Sequence, residues 1–304
     1  MVPKSLTALL QNVIDYAGLY PPAKLPMEEA IDSYETLING EKAWIVDRLI
    51  LPANRLSEAE KFFERWEVEP NITTTGRITN NDAEFRQAVV EDIEAIQRFE
   101  YGTVLAFECR VPESLLGDPE RLNEVLLDLP PQNEELEWYA ELPFTENWKD
   151  EIPNAIVAVH ESEGVMAKIR TGGIESSAFS SVEQLSLWIA ECSMHRQPFK
   201  ATAGLHHPIR KHDNEIGVKM HGFLNLFSAV TMARKYHLDV DSIARILEIE
   251  DANAFDFRDD GFSVLGMSAD MKDIESCRWL LKSFGSCSVD EPIEDLKALG
   301  YALA

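Results

Sequence analysis

The stretch Ala167-Lys168-Ile169-Arg170-Thr171-Gly172-Gly173, echoed 32 residues later by Phe199-Lys200-Ala201-Thr202-Ala203-Gly204-Leu205, decides the fold. Each segment reads as a short strand that carries a lysine and ends in small residues. Between them, Ser181 to Met194 has the pattern of a helix. Strand, helix and strand in so short a span make a βαβ unit, and such units build parallel sheets. Working outward toward the N-terminus, Trp44 to Pro52, Asn71 to Arg77, Thr103 to Val111 and Leu136 to Phe144 read as further strands. The helix Asn81 to Phe99 sets Phe85, Val89, Ile93 and Ile96 on one stripe. Ser57, with Glu60 three residues on, has the form of a capping box. Six strands are thus expected by Leu205.

Beyond that point Phe223 to Tyr236 and Val240 to Ile249 read as consecutive helices, and Gly261 to Gly266 as one more strand. Asp290-Glu291-Pro292 opens a last helix with acidic residues at its positive end. Before Trp44, helices at Ser5 to Tyr16 and Met27 to Asn39 flank a breaker at Gly18 to Pro22. The expected class is α/β: a single (β/α)8 TIM-barrel-like domain over residues 44–304, preceded by an N-terminal helical extension over 1–43. An open doubly wound sheet is the alternative, but the phosphate-binding glycine fingerprint expected after its first strand is missing.

The chain has 304 residues, with 28 Lys and Arg against 53 Asp and Glu, a formal net charge of −25. Duplex nucleic acid and anionic membrane surfaces attract clustered cations, so neither is an expected partner. A hydrophobic content of 45% provides for a large core and excludes wholesale disorder. The four cysteines are scattered without a CxxC pair, and no disulfide framework or thiolate metal site is expected. Met1 to Ile14 lacks the continuous apolar core of a signal peptide, and no apolar run is long enough to span a membrane. A cytoplasmic location is the expectation.

In a barrel, side chains alternate inward and outward, and chemistry gathers at the carboxyl ends of the strands. Lys168 and Arg170 share one face of their strand; Lys200 and Thr202 share one face of theirs. If those faces point inward, two ammonium groups approach each other. A lysine with a pKa of about 10.4 is no nucleophile at neutral pH, but a neighbouring cation and an apolar wall both lower that value. The product would be an amine able to form a Schiff base. Glu108 and Glu141, each inside a strand, are the carboxylates placed to move protons. The structural alternative is that each lysine simply pairs with one of them. Arg170, Thr171, Gly172 and Gly173 form either a tight turn or an anion cradle.

His206 and His207 are adjacent, and neighbours in a strand face opposite ways, so both rarely ligate one ion. No HxH or HExxH spacing is present, and no metal is expected, although four histidines fall between His206 and His221. His206 or His207 as a general acid or base beside Lys200 is the stronger reading. No motif calls for an organic cofactor.

The order Lys-x-x-Thr-Gly at Lys168, Phe-Lys-x-x-x-Gly at Phe199 and Phe284-Gly285-Ser286 resembles class I aldolases of the deoxyribose-phosphate aldolase type. The resemblance implies that Lys168 is the Schiff-base lysine and Lys200 the charge that tunes it. It further implies that Gly204 and the Gly285-Ser286 pair cradle a phosphate. Arg170 stands where that family has a small residue, Phe284 lies 84 residues beyond Lys200, and the family's catalytic aspartate motif is not found. A second likeness runs through Asp15-Tyr16-Ala17-Gly18-Leu19-Tyr20-Pro21-Pro22-Ala23, Phe199 to Pro208, Met220-His221-Gly222-Phe223-Leu224-Asn225 and Gly285-Ser286-Cys287-Ser288. These segments resemble a set of uncharacterised bacterial proteins and imply no activity.

The leading functional expectation is a lyase, aldolase-like, acting through Lys168 on a small anionic or phosphorylated carbonyl compound. Its residues are Lys168, Lys200, Glu108, Glu141 and His206 for catalysis. Arg170, Thr171, Gly172, Gly173, Thr202, Gly204, His207, Gly285 and Ser286 would hold the anionic substrate. A metal-assisted hydrolase or isomerase using His206 or His207 with Glu108 or Glu141 is one alternative. A non-catalytic anion-binding barrel is another.

Overall fold

Along most central strands, apolar side chains pack outward on a ring of helices and charged ones point into the barrel axis. Phe107 and Cys109 face the helices while Glu108 between them faces the axis; Trp138 and Ala140 likewise alternate with Tyr139 and Glu141. The computed structural model describes residues 2–66, 69–129 and 136–301. Eight parallel strands close on themselves: β1 (Ile14–Tyr16), β2 (Val46–Pro52), β3 (Asn71–Thr75), β4 (Thr103–Arg110), β5 (Glu137–Glu141), β6 (Val165–Arg170), β7 (Phe199–Thr202) and β8 (Leu281–Ser286). Each pairs with its neighbours in chain order, and β8 returns to β1 through Phe284 opposite Ile14 and Ser286 opposite Tyr16. The fold is a (β/α)8 barrel of the TIM type, as the strand–helix alternation predicts. No described helix is long and apolar enough to cross a membrane.

Three features differ from the sequence expectation. The barrel begins at Ile14, inside the segment read as a helical extension: Lys4–Leu10 is a short helix, and β1 follows it at once. The strand at Gly261–Val264 belongs to a separate antiparallel sheet with Phe255–Arg258 and Met267–Asp270, outside the barrel. That sheet sits in a long excursion between β7 and β8, together with a hairpin and the helices Phe223–Tyr236, Val240–Leu247 and Met271–Leu280. Ser57 caps nothing; the chain enters its helix through a 3-10 turn at Ala53–Arg55, and Ser57 lies inside the helix Leu56–Phe63.

Local chemistry sets the other helix starts. Asn81 accepts from the Glu84 amide at 3.0 Å, and Asp118 caps a helix that has Pro119 at its first position. Ser181 and Gln184 form a reciprocal capping box, which fixes where the helix after β6 begins. The helix Phe223–Tyr236 is buried nearly all round, with Phe223 stacked on Phe284 of β8 at 5.6 Å between ring centres. The excursion thereby carries part of the outer layer that braces β8.

Candidate active site

The barrel axis is filled with charge. Near its amino end Arg48 of β2 donates to Glu137 Oε2 at 2.6 Å, and Tyr139 donates to the same oxygen at 3.0 Å. Above them the Lys200 ammonium sits over the Tyr139 ring, 5.2 Å from its centre. Lys200 is 1% exposed and makes ion pairs with Asp15 of β1 and Glu108 of β4. Ser283 of β8 donates to Asp15 Oδ2 at 2.9 Å. Higher still, Lys168 Nζ lies 2.6 Å from Glu108 Oε2 and 2.7 Å from Glu141 Oε2. Glu108 therefore bridges the two ammonium groups, one on each of its oxygens.

This arrangement corrects the expected electrostatics. The lysines meet through an intervening carboxylate, so neither loses its proton to the other's charge. Burial alone would lower both lysine pKa values, but Glu108 and Glu141 outweigh it at Lys168, and Asp15 and Glu108 outweigh it at Lys200. Both are held above the usual lysine range. Burial alone would raise the Glu108 pKa; the two ammonium groups reverse that and hold it at about 2. Pairing of the lysines with Glu108 and Glu141, the structural alternative of the sequence reading, is what the barrel contains.

A cavity of about 180 Å³ opens above this cluster at the carboxyl ends of the strands. That exceeds the roughly 150 Å³ that admits a six-carbon ring. Glu108, Glu141 and Lys168 form its floor, and Arg170, Gly173, Thr202, Gly204, His206, Gly285 and Ser286 line its walls. Ten of the fourteen residues expected at the site thus meet in one place. Four do not line it. Lys200 lies beneath the floor and acts on the cavity through Glu108. Thr171 is fully buried and donates to the Thr202 carbonyl at 3.1 Å, tying the ends of β6 and β7 together. Gly172 is packed against the neighbouring turn: a Cβ there would stand 2.6 Å from the Gly204 Cα. His207 is turned toward the last helix, Asp290–Ala298, where its Nδ1 lies 2.6 Å from Asp295 Oδ2.

Backbone shape at the cavity wall is unusual. Ala203 and Gly204 both have positive φ, 62° and 73°. Gly204 tolerates this freely, but for Ala203 it is strained, and such strain concentrates at functional sites. Arg170 donates through Nε to the Gly172 carbonyl at 2.9 Å, which folds its guanidinium over its own turn. Among the described residues no carboxylate lies within 4 Å of it, in a protein with nearly twice as many acids as bases. Arg110, across the cavity, is paired with the exposed Glu113 at 3.3 Å.

Sequence reasoning missed Asp15 and Glu291 as site residues. Asp15 is fully buried on a strand too short to be read as one. Tyr20 lines the cavity from the β1 loop; its hydroxyl and the Thr75 hydroxyl are 2.6 Å apart, and burial pushes its pKa up to about 12. The signal available for both was their place in the Asp15 to Ala23 segment. Glu291 stands 3.2 Å from His206 Nδ1. Among the described residues no three His, Cys, Asp or Glu side chains converge as a metal ligand set, so the geometry lends the metal-assisted alternative no support. Scanned against models of known protein families the chain matches none, and a search of curated proteins finds no significant relative.

Proposed function

We propose that this barrel is a lyase of the aldolase kind, in which Lys168 forms a Schiff base with the carbonyl of a small anionic substrate. The observation that carries the reading is the Lys168 ammonium on the floor of a cavity, between two carboxylates and on the same strand face as the unpaired Arg170. Two residues along a strand span about 6.6 Å, so one substrate end meets Lys168 while its anionic end meets Arg170.

Ion pairing does not forbid this chemistry, because the iminium keeps the positive charge of the ammonium. Glu141 takes one proton from Lys168 across their 2.7 Å contact. The neutral amine then attacks the carbonyl carbon, a C–N bond forms, and the oxygen takes the proton back from Glu141. Departure of that oxygen as water removes a second hydrogen from nitrogen and leaves the iminium between the same carboxylates. Glu108 is the poorer proton acceptor, since Lys200 and Lys168 both hold it ionised. Lys200 is thus a positioning residue: it fixes which carboxylate stays charged. The high resting pKa of Lys168 implies slow adduct formation at neutral pH that quickens as pH rises.

Reduction with borohydride in the presence of pyruvate, glyoxylate, acetaldehyde or glyceraldehyde phosphate tests the reading. The expected result is added mass at Lys168 in peptide mapping, lost in Lys168→Met. No adduct from any of these between pH 7 and 9, or an equal adduct in Lys168→Met, overturns it. The closed ion pairs favour one second reading, the non-catalytic anion-binding barrel, which predicts stabilisation by anions without any adduct.

A further inference from the structure

One helix holds both members of the adjacent histidine pair. Glu291 and Asp295, four residues apart on Asp290–Ala298, share a face of that helix. Asp295 takes His207, which does not line the cavity. Glu291 stands at ion-pair distance from Nδ1 of His206, which does line it. Nδ1 meets the carboxylate at 3.2 Å as a charge contact without hydrogen-bond geometry, and Nε2 is the nitrogen outside that contact. A base oriented by a third group is the recurring form of an activated proton carrier.

We infer that Glu291 and His206 form the acid–base pair that removes a carbon-bound proton next to the Schiff base, with His206 as catalytic residue and Glu291 as positioning residue. This rests on the Schiff-base reading and narrows the substrate to carbonyl compounds with a hydrogen on the adjacent carbon. In the step, Nε2 of neutral His206 takes the α-proton. The C–H electrons form a carbon–carbon double bond, and the C=N electrons return to nitrogen, giving a neutral enamine. The proton now on His206 makes an imidazolium, whose charge Glu291 balances. His206 holds the Glu291 carboxyl below the usual range, so the balancing charge is present before the step. The other groups bearing on the pair are His207 and Lys211, which favour the ionised Glu291, and the Cys287 thiol. On the far side Asp213 faces His207, and Asp295 binds it.

The test follows deuterium uptake into the methyl group of pyruvate and of acetaldehyde in D2O as a function of pH, beside borohydride trapping. Glu291→Gln is expected to slow exchange roughly 10–100-fold and to change its pH profile. It keeps the Lys168 adduct. His206→Gln abolishes exchange and also keeps the adduct. Asp295→Asn, which removes the partner of His207 alone, leaves the exchange profile unchanged. An adduct with unchanged exchange in Glu291→Gln or His206→Gln refutes the pair while the Schiff base stands. No adduct in the unaltered chain refutes the Schiff base, and the role of the pair with it.

Discussion

Replacing Glu108 by Gln removes the anion that separates the two ammonium groups while keeping its shape. The folded pKa of about 2 against an ordinary 4.5 is a difference of 2.5 units, which amounts to about 3 kcal/mol. Because the folded value is depressed, this contribution is fully present above about pH 4.5 and is lost as pH falls through 2. Gln cannot ionise, so the variant lacks the contribution at every pH. After the change Lys168 keeps Glu141 and Lys200 keeps Asp15, so each ammonium retains one partner. The expected outcome is a variant less stable by about 3 kcal/mol at pH 7, inside the range for breaking a buried ion pair. The deficit shrinks progressively below pH 4.5 and nearly vanishes near pH 2. Urea unfolding of both proteins at a series of pH values from 7 to 2.5 reads it directly. A deficit that stays constant over that range, or no deficit at neutral pH, refutes the bridging role assigned to Glu108.

Arg170→Met should abolish most of the rise in Tm that millimolar inorganic phosphate gives the unaltered chain. Its unliganded stability should change by no more than about 0.5 kcal/mol, since the side chain is exposed; an undiminished phosphate effect counts against Arg170 as the anion site. Gly172→Ala drives a methyl against the Gly204 backbone and the Phe179 ring, at a cost of about 1–3 kcal/mol in urea unfolding. A neutral result would mean that the two turns are not in contact. Tyr20→Phe removes the hydroxyl contact to Thr75 and about 1 kcal/mol with it, and amides of the β1 loop should exchange faster with solvent. Unchanged exchange there would show that the loop is held by other contacts.

The barrel class was readable because most strands are apolar on one face and bounded by well-formed helices, as from Thr103 to Leu205. Its two ends were not. β1 is three residues long and completely buried, so it offers no alternation to distinguish it from the helical pattern before it. β8, Leu-Lys-Ser-Phe-Gly-Ser, is poor in strand-forming residues and follows a helix without a break. Only closure of the barrel makes it a strand, a long-range effect that local reading does not carry. At the site, a lysine or glutamate inside a strand was a legible anomaly, and Lys168, Glu108 and Glu141 do share a cavity floor. What stayed hidden was the order of charges across the axis. Two lysines side by side and two lysines with a glutamate between them have opposite consequences for lysine acidity. Glu291 was visible only as a complement to a helix end, because its partner lies 85 residues earlier in the chain.

Charge pairing along the barrel axis has a kinetic side. Lys200 reaches Asp15 across 185 residues and Ser283 donates to Asp15 across 268, so Asp15 meets its partners only when β1 joins the strands at the end of the barrel. Such distant pairings form slowly, and until they do Asp15 lacks the ammonium that matches it. A chain fragment ending before Phe199 should therefore leave Asp15 unmatched and fail to assemble into a stable partial barrel.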